Sequence, residues 1–362
     1  MTASAVRRDR LRAAARAAGL DAVLVTRLVN VRYLTGFTGS NAALLVPAGA
    51  DRPVVLCTDG RYTVQAGEQA PDVELLIERT SAVALAERAA KDGYRTIGIE
   101  THDVTVDLQA ALAEAAGGEL VSVKRAVEQL RAVKDDTEVG LLRQACAIAD
   151  RALAKLIAAG GLRPGRTERE IGRELDARML DHGADAPSFE TIVATGPNSA
   201  IPHHRPTDAV LAAGDFVKID FGALVAGYHS DMTRTFVLAP VAQWQLDLYE
   251  LVATSQRVGR EALSPGVSLK DVDGASRQVI ADAGYAENFG HGLGHGVGLE
   301  IHEAPMLGYG RTGKLTDRVP VTVEPGVYLP GMGGVRIEDV LVVTAGDRAR
   351  FLTSTTRELL VL

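Results

Sequence analysis

The sequence has few cysteines and no long apolar run, and each shortage excludes a class of protein. Only Cys57 and Cys146 occur among the 362 residues, so a disulfide scaffold and a CxxC thiolate metal site are excluded. No run of about 18 apolar residues is present to cross a membrane. No apolar segment follows the N-terminal arginines, as a signal peptide would require. We therefore expect a cytoplasmic protein that does not enter the membrane.

Positive charge and aromatic side chains are also in short supply. The formal net charge is -7 at pH 7, whereas proteins that bind nucleic acid usually present a basic face. Aromatic residues make up 4% of the chain and hydrophobic residues 46%, so we expect an aliphatic core. The length suggests two domains or one large one.

The pattern of apolar segments changes near residue 132. Before it, short apolar runs such as Asp21–Thr26 alternate with helical stretches such as Ser81–Lys91, which predicts an α/β domain over residues 1–132. After it come two helices and then strand-like runs broken by glycine. This predicts an α+β domain with a mainly antiparallel sheet over residues 133–362.

Two aspartates lie in strand-like segments on either side of a turn. Asp220 belongs to the apolar run Val217–Phe221, and Asp231 begins the next run. A hairpin folded about a centre between Val225 and Ala226 would place Asp220 directly opposite Asp231, with Cβ atoms about 5 Å apart. Two carboxylates that close repel each other unless they share a proton or bind a cation.

Glu324 and Glu338 form a second pair of the same kind. Pro325 favours an extended backbone at Glu324, and a cluster of glycines follows it. A hairpin centred on Gly331 would place Glu324 opposite Glu338. The chain thus offers four carboxylates at positions where a core strand would normally be apolar.

Between the two hairpins lies a segment rich in histidine and glycine. His291, His295 and His302 supply imidazoles, and the glycines allow the backbone to approach a site closely. One imidazole with four carboxylates is an oxygen-rich ligand set. It suits two adjacent divalent ions, with Mn²⁺ preferred over a metal that favours thiolates.

Each feature taken alone has a plainer interpretation. The aspartates could lie at the surface or in turns, Arg336 could form a surface ion pair with Glu338, and His203 and His204 could be an exposed doublet. A phosphate-binding loop is a weaker reading of the glycines, because no strong helix follows them. The order and spacing of all these features together favour a metal site.

Together, the motifs resemble the pita-bread metallopeptidases, which include aminopeptidase P, prolidase and methionine aminopeptidase, and within them the M24B branch of Xaa-Pro dipeptidases and aminopeptidase P. The matching segments in this part of the chain are Ile219–Gly222, Gly227–Thr235, His291–Gly298, Val323–Gly326 and Arg336–Asp339. Upstream, Asn30–Ser40 and Asp59–Tyr62 resemble the N-terminal domain of the creatinase, prolidase and aminopeptidase P branch. The chain resembles most the short PepQ-type Xaa-Pro peptidases of actinobacteria. It implies an α/β creatinase-like N-terminal domain followed by an α+β pita-bread catalytic domain.

The resemblance also implies five metal ligands: Asp220, Asp231, His295, Glu324 and Glu338. Asp220 would chelate one ion, Asp231 and Glu338 would bridge both, and the other two would complete the second site. A hydroxide between the ions would attack the scissile carbonyl. Mn²⁺ is the expected metal, with Co²⁺ and Zn²⁺ as alternatives.

The catalytic roles follow from the same resemblance. Glu324 would shuttle a proton as general base and acid, and Arg336 would orient Glu338 or the substrate. Three histidines would contact the substrate or stabilise the oxyanion, namely His203, His291 and His302. Of the neighbouring pair His203 and His204, His203 is preferred.

The expected function is hydrolysis of Xaa-Pro peptides, as a dipeptidase or an aminopeptidase, by a homodimer. The proline preference rests on the resemblance alone. The main alternative is a dipeptidase or aminopeptidase without that preference, and a more distant one is a binding protein on the same scaffold. A creatinase-type activity is remote because creatinases on this fold work without metals. The sequence leaves open the native metal, the substrate length and the roles of Tyr33, Asp59 and Arg61.

Overall fold

The computed structural model describes residues 2–346 and 348–362, and the chain divides between Arg131 and Ala132. None of the helices in these ranges combines the length and the apolar character that crossing a bilayer requires.

The first unit is built on one six-stranded mixed sheet with helices packed on it, as the α/β pattern predicted. Its strands are β1 (Ala22–Val25), β2 (Ala42–Pro47), β3 (Val55–Thr58), β4 (Glu74–Ile77), β5 (Thr96–Ile99) and β6 (Glu119–Ser122). Its helices are α1 (Ala3–Ala17), α2 (Leu28–Thr35), α3 (Thr63–Gln69), α4 (Ser81–Lys91), α5 (Val106–Ala116) and α6 (Ala126–Ala132). The strand order is β4-β3-β2-β1-β5-β6, and β1 pairs antiparallel with β2 and parallel with β5. The central strands β1 and β2 are buried along their whole length.

Three residues whose roles the sequence left open make contacts within this unit. Tyr33 is 1% exposed, its hydroxyl donates to the carbonyl of Leu130, and the guanidinium of Arg7 lies over its ring. Asp59 accepts two hydrogen bonds from the Arg61 side chain, which hold the pKa of its carboxyl well below the usual range. These contacts give all three residues a structural role.

The second unit combines helices with antiparallel strands, as predicted. Its helices are α7 (Asp136–Ala158), α8 (Glu168–Asp181), α9 (Gln243–Glu261) and α10 (Leu269–Asp282). Its strands are β7 (Ala186–Pro187), β8 (Ile192–Thr195), β9 (Phe216–Phe221), β10 (Ala223–Val225), β11 (Tyr228–His229), β12 (Met232–Val237), β13 (Gly294–Gly296), β14 (Glu303–Leu307), β15 (Pro320–Val323), β16 (Gly326–Leu329), β17 (Gly333–Arg336), β18 (Asp339–Val342) and β19 (Arg350–Phe351). The sheets run β11-β10-β7, β12-β9-β8, β14-β13-β15-β18-β19 and β16-β17.

The first two helices of this unit begin at capping boxes. Thr167 and Glu170 cap α8 reciprocally. The long helix α7 is capped in the same way by Asp135 with Glu138. Its apolar face, with Cys146 fully buried, packs against β9 and β12. The helices thereby support the strands that carry the two aspartates.

The hairpin of Asp220 and Asp231 turns one residue later than predicted. Asp220 pairs with Thr233, and Val225 pairs with Tyr228. Ala226 and Gly227 form the turn, with φ of 47° and 81°, the pattern of two-residue turns that match strand twist. The predicted direct pairing of the two aspartates is therefore wrong. Because Asp231 lies two residues before Thr233, it faces the same side and is the diagonal neighbour of Asp220.

The second hairpin has the predicted register. Gly326 pairs with Arg336 in β16 and β17, and Val323 pairs with Asp339 in β15 and β18. When the first pairing is continued by two residues, or the second by one, Glu324 lies opposite Glu338. The predicted centre at Gly331 is therefore confirmed.

The turn that sets the first register can be tested at Ala226. A residue with a Cβ is strained at a φ of 47°, so Ala226→Gly should raise the free energy of unfolding by about 0.5–1 kcal/mol. The matched variant Gly227→Ala should lower it by a similar amount. Thermal unfolding of both variants measures the difference, and a loss of stability in Ala226→Gly would contradict the assigned turn.

Candidate metal centre

Side chains from both hairpins and from the histidine segment meet in one buried place. Asp220 comes from β9, Asp231 precedes β12, His295 lies in β13, and Glu324 and Glu338 flank the second hairpin. Ligand atoms of Asp231, His295 and Glu338 all lie within 4.8 Å of one another. The Nε2 atom of His295 is 3.5 Å from Asp231 Oδ2 and 3.4 Å from Glu324 Oε1. The structure thus brings together all five residues predicted to bind metal.

The carboxylates are unfavourably placed without a cation. Burial and then the neighbouring Glu338 and Asp220 raise the pKa of Asp231 well above its usual range. Burial and the carboxylates of Glu324 and Asp220 do the same for Glu338. Burial, together with Asp220, raises the pKa of Glu324 to about 8.

One buried oxygen in the cluster also lacks a partner. Asp220 Oδ1 is inaccessible to solvent and accepts no hydrogen bond from the described residues. A buried acceptor of this kind is costly unless an ion or a donor occupies the space beside it. An oxygen-rich set with one imidazole fits hard divalent cations, so the residues present fit a metal.

The imidazole of His295 is prepared to act as a ligand. Its Nδ1 lies 3.0 Å from the carbonyl of Gly296 and donates to it, which leaves the lone pair of Nε2 facing the carboxylates. Burial lowers the pKa of His295 to about 4. The ring is therefore neutral at pH 7, as metal binding requires.

Arg336 connects the two hairpins beside the carboxylates. Its Nη2 donates to Asp220 Oδ2, and its Nε donates to Thr233 Oγ1 at 3.0 Å. The Thr233 hydroxyl in turn donates to Glu338 Oε2 at 2.7 Å. We expected Arg336 to orient Glu338 or the substrate, whereas in the structure it binds Asp220 directly and reaches Glu338 only through Thr233.

A second layer, which sequence reasoning missed, fixes the backbone of Glu338. Arg234 donates to the carbonyl of Glu338 and, at 2.7 Å, to Asp339 Oδ1. Asp339 is fully buried and also accepts from Gln256 and Thr353, each at 2.7 Å. Arg234 and Asp339 lie within the segments Gly227–Thr235 and Arg336–Asp339 that carry the family resemblance, and this position was the signal that could have found them.

Tyr328 is another residue that the sequence did not single out. Arg336 Nη1 donates to its hydroxyl at 2.9 Å, and the hydroxyl lies 2.9 Å from His291 Nε2. The other ring nitrogen of His291 lies 2.8 Å from the Gly292 carbonyl. Burial lowers the pKa of His291 to about 4 and raises that of Tyr328 to about 12. Because both nitrogens of His291 are bonded within the protein, its contact with substrate stays a prediction.

The five residues predicted to bind metal form the floor of a cavity of about 850 Å³. His203 and His302 are exposed on its wall, and the ring of His302 meets that of His295 edge to face, with centroids 4.4 Å apart. His204 also borders the cavity but is buried, with Nε2 2.8 Å from Glu168 Oε2. The preferred histidine of the doublet, His203, is therefore the one free to meet a bound molecule.

The first unit holds a second cluster of ligand-type side chains, formed by Glu100, His102 and Glu128. The Glu100 carboxylate already accepts from the backbone of Arg27 and from Asn30. Glu128 accepts from Arg27, from Asn30 and from His102. These donors make the cluster an internal hydrogen-bond network, and a neighbouring arginine opposes a cation there.

Comparison with known proteins agrees with both units. Residues 140–345 match metallopeptidase family M24, and residues 7–133 match the creatinase/prolidase N-terminal domain. The uncharacterized peptidase YqhT of Bacillus subtilis is 38% identical over 346 residues, which cover 95% of this chain and 96% of the relative. A solved Xaa-Pro dipeptidase from Bacillus anthracis is 36% identical with a TM-score of 0.94, covering 99% of this chain and 100% of its own. A solved X-Pro aminopeptidase from Thermotoga maritima is 33% identical with a TM-score of 0.89, covering 98% and 99%.

The expected likeness to actinobacterial peptidases has looser support. The probable dipeptidase PepE of Mycobacterium bovis is 34% identical over 368 residues, which cover 98% of this chain and 96% of the relative. The Bacillus subtilis relative is at least as similar. The comparisons therefore support the family more firmly than the branch within it.

The raised pKa values make cation binding depend on pH. At pH 7 the carboxyl of Glu324, with a pKa of about 8, is protonated in the metal-free protein, so a cation must displace its proton. Binding should therefore release protons and strengthen as the pH rises from 6 to 8. Calorimetric titration of metal-stripped protein with Mn²⁺, in buffers of different ionisation heat, measures the release.

The control for this titration is Glu128→Gln, which lies in the first unit and should leave proton release unchanged. Glu324→Gln should reduce the release by about one proton per chain, because it removes a titrating ligand. A heat of binding that does not depend on the buffer would contradict the assignment.

Proposed function

Because this chain belongs to metallopeptidase family M24 and carries a creatinase/prolidase N-terminal domain, we propose that it hydrolyses Xaa-Pro peptides with two divalent metal ions. It is a metallopeptidase, with an α/β creatinase-like domain and an α+β catalytic domain of the pita-bread fold. The observation that carries the proposal is the convergence of five ligand side chains on the floor of an open cavity.

We assign the metal ligands as Asp220, Asp231, His295, Glu324 and Glu338. Four carboxylates and one imidazole are more ligands than one ion with bound substrate needs, which supports a pair of ions. Mn²⁺ is the proposed metal, with Co²⁺ and Zn²⁺ as alternatives, because the set is rich in oxygen and has no thiolate. The ions would supply a water of lowered pKa and a Lewis acid for the scissile carbonyl.

Glu324 is the proposed proton carrier. Its Oε1 accepts from Thr322 Oγ1 at 3.2 Å, and its side chain remains 17% exposed to the cavity. The carboxylate would accept a proton from the attacking water and donate it to the departing amide nitrogen. In an Xaa-Pro substrate that nitrogen belongs to the proline ring, which leaves as a secondary amine.

The side chains of the cavity wall suit a short peptide with proline at its second position. Phe189, Ile192 and Ile301 give the wall an apolar part, which suits a ring that has no N–H to satisfy. Arg205 and Arg311 also line the cavity and offer cations for a terminal carboxylate. We therefore place Xaa-Pro dipeptides first among the substrates, with His203 and His302 as contacts.

Location, assembly and domain limits complete the proposal. Cys57 and Cys146 are both free and buried, which suits a reducing compartment, and we propose a cytoplasmic enzyme. The family resemblance favours a homodimer. We assign residues 1–132 to the N-terminal domain and 133–362 to the catalytic domain.

Substrate preference can be measured with three peptides. Mn²⁺-loaded protein should cleave an Xaa-Pro dipeptide faster than an Xaa-Pro-Yaa tripeptide, and should leave an Xaa-Ala dipeptide intact. Metal-stripped protein should cleave none of them. Equal cleavage of the Xaa-Ala control would replace the proposal with a general dipeptidase, and a lack of any cleavage would favour a binding protein.

If Asp231 bridges the two ions, its substitution should lower activity without lowering the stability of the metal-free protein. Asp231→Asn should lose at least one metal ion per chain and lower kcat by at least about 10²–10³-fold. Its metal-free form should unfold at the same or a higher temperature than the wild type, because the variant removes a buried, repelled carboxylate. Metal analysis, kinetics and thermal unfolding measure the three quantities.

The matched control is Asp247→Asn, an exposed aspartate that accepts from Gln243 one turn earlier. It should keep full activity and metal content. Near-normal turnover by Asp231→Asn would refute the bridging assignment.

A further inference from the structure

A fully buried lysine lies beside the metal-binding residues. Lys218 is in β9 on the same face as Asp220 and is 0% exposed. Its Nζ donates to the carbonyl of Ile201 at 2.7 Å and lies 3.5 Å from that of Pro202. The ring of Tyr328 is 5.0 Å from the same atom. The Lys218 amino group is therefore held by backbone oxygens and an aromatic face, while burial and the nearby Arg336 lower its pKa well below the usual range.

This placement is expensive for a residue that only fills space. Burying an amine costs free energy, because its charged form loses hydration and its neutral form must give up a proton. Phe216, two positions earlier on the same face of β9, is apolar and 1% exposed, so an aliphatic side chain at 218 would suit packing better. The cost points to the hydrogen bonds that the amino group makes.

A second buried donor, Arg336, holds the same backbone. Arg336 Nη1 donates to the Pro202 carbonyl at 3.1 Å, and Arg336 is 2% exposed. The carbonyls of the two residues that precede His203 are thus fixed by Lys218 and Arg336. Of these two side chains, only Arg336 also donates to one of the proposed ligands, Asp220.

The residues that follow His203 in the chain are also held by hydrogen bonds. Glu168, which is 0% exposed, lies 2.8 Å from His204 Nε2 and accepts from the backbone and hydroxyl of Thr207. His203 itself is exposed on the cavity wall between the two anchors. The direction of the His203 side chain therefore depends on how the backbone on either side of it is held.

We propose that Lys218 is a positioning residue, which fixes the backbone of Ile201 and Pro202 and so holds His203 towards the bound peptide. The proposal rests on the proposed function, in which His203 contacts the Xaa-Pro substrate. Lys218 touches neither the substrate nor the reacting atoms.

The first test compares Lys218→Met and Lys218→Gln in the full-length, metal-loaded protein. Lys218→Met should lower kcat/KM for an Xaa-Pro dipeptide by about 10–100-fold, because small displacements of a contact residue cost that much. Its metal content should equal that of the wild type. Lys218→Gln should recover part of the loss, since its amide can still donate to the carbonyls. Wild-type kcat/KM in Lys218→Met would overturn the proposal.

The matched control is Arg169→Met, which removes an exposed cation bonded to Asp208 at the far end of the same segment. It should keep the wild-type kcat/KM. A loss as large as that of Lys218→Met would attribute the effect to general loosening of the segment and would also overturn the proposal.

The second test couples Lys218 to His203. His203→Ala should cost much less activity in the Lys218→Met background than in the wild type, because the two residues act through one contact. Losses that simply multiply would show that Lys218 does not act through His203.

Amide hydrogen exchange separates this proposal from the proposed function. Lys218→Met should speed exchange at residues 201–205 and leave β8 and β18 unchanged. If the wild type cleaves no Xaa-Pro peptide, the proposed function fails and exchange alone decides. Unchanged exchange at 201–205 would then overturn the role of Lys218, and local acceleration would support it.

Discussion

Repulsion among four buried carboxylates is the constraint around which the second unit is arranged. Asp220, Asp231, Glu324 and Glu338 share the floor of one cavity, and burial removes the water that would screen them. Protonation of some of them relieves the repulsion in the metal-free protein, and divalent cations relieve it more completely. Several side chains around the cluster, among them Arg336 and Thr233, hold a carboxylate in place by hydrogen bonds.

Hydrogen-bond donors on one hairpin hold groups on the other hairpin in place. Thr233 belongs to β12, yet its hydroxyl bonds Glu338 and its backbone carbonyl accepts from the amide of the same residue. Two residues after Thr233, the Thr235 hydroxyl donates to the Arg336 carbonyl and accepts from the Arg336 amide. The hairpins are therefore joined at several points beside the ligands. A displacement of one hairpin would move ligands contributed by the other.

The sequence predicted the ligands better than it predicted their geometry. Carboxylates in apolar strands are visible without a structure, and they identified the four acidic residues that converge, whereas the choice of His295 among the three histidines of its segment came from the family resemblance. The first register was missed because a turn with positive φ was not expected at Ala226, a residue with a Cβ. The second was predicted because Gly331 lies at the centre of its turn. Motif spacing depends on chain order, whereas register depends on which residues accept an unusual backbone conformation.

The supporting layer could not be predicted for a different reason. Arg234, Asp339, Tyr328 and Lys218 are distributed over four different strands, β12, β18, β16 and β9. Their partners are backbone carbonyls and side chains up to 122 residues away. No local pattern records such distant pairs, because each residue is satisfied only after the strands have assembled.

Because its ligands come from strand ends spread between residues 220 and 338, the metal centre exists only when the whole second unit has folded. Cation binding is therefore linked to the folding equilibrium. A free metal concentration one hundred times its dissociation constant would add about 2.7 kcal/mol to the stability of the folded chain. The supply of metal in the surrounding compartment would then set how long each copy survives proteolysis, as well as how fast it works.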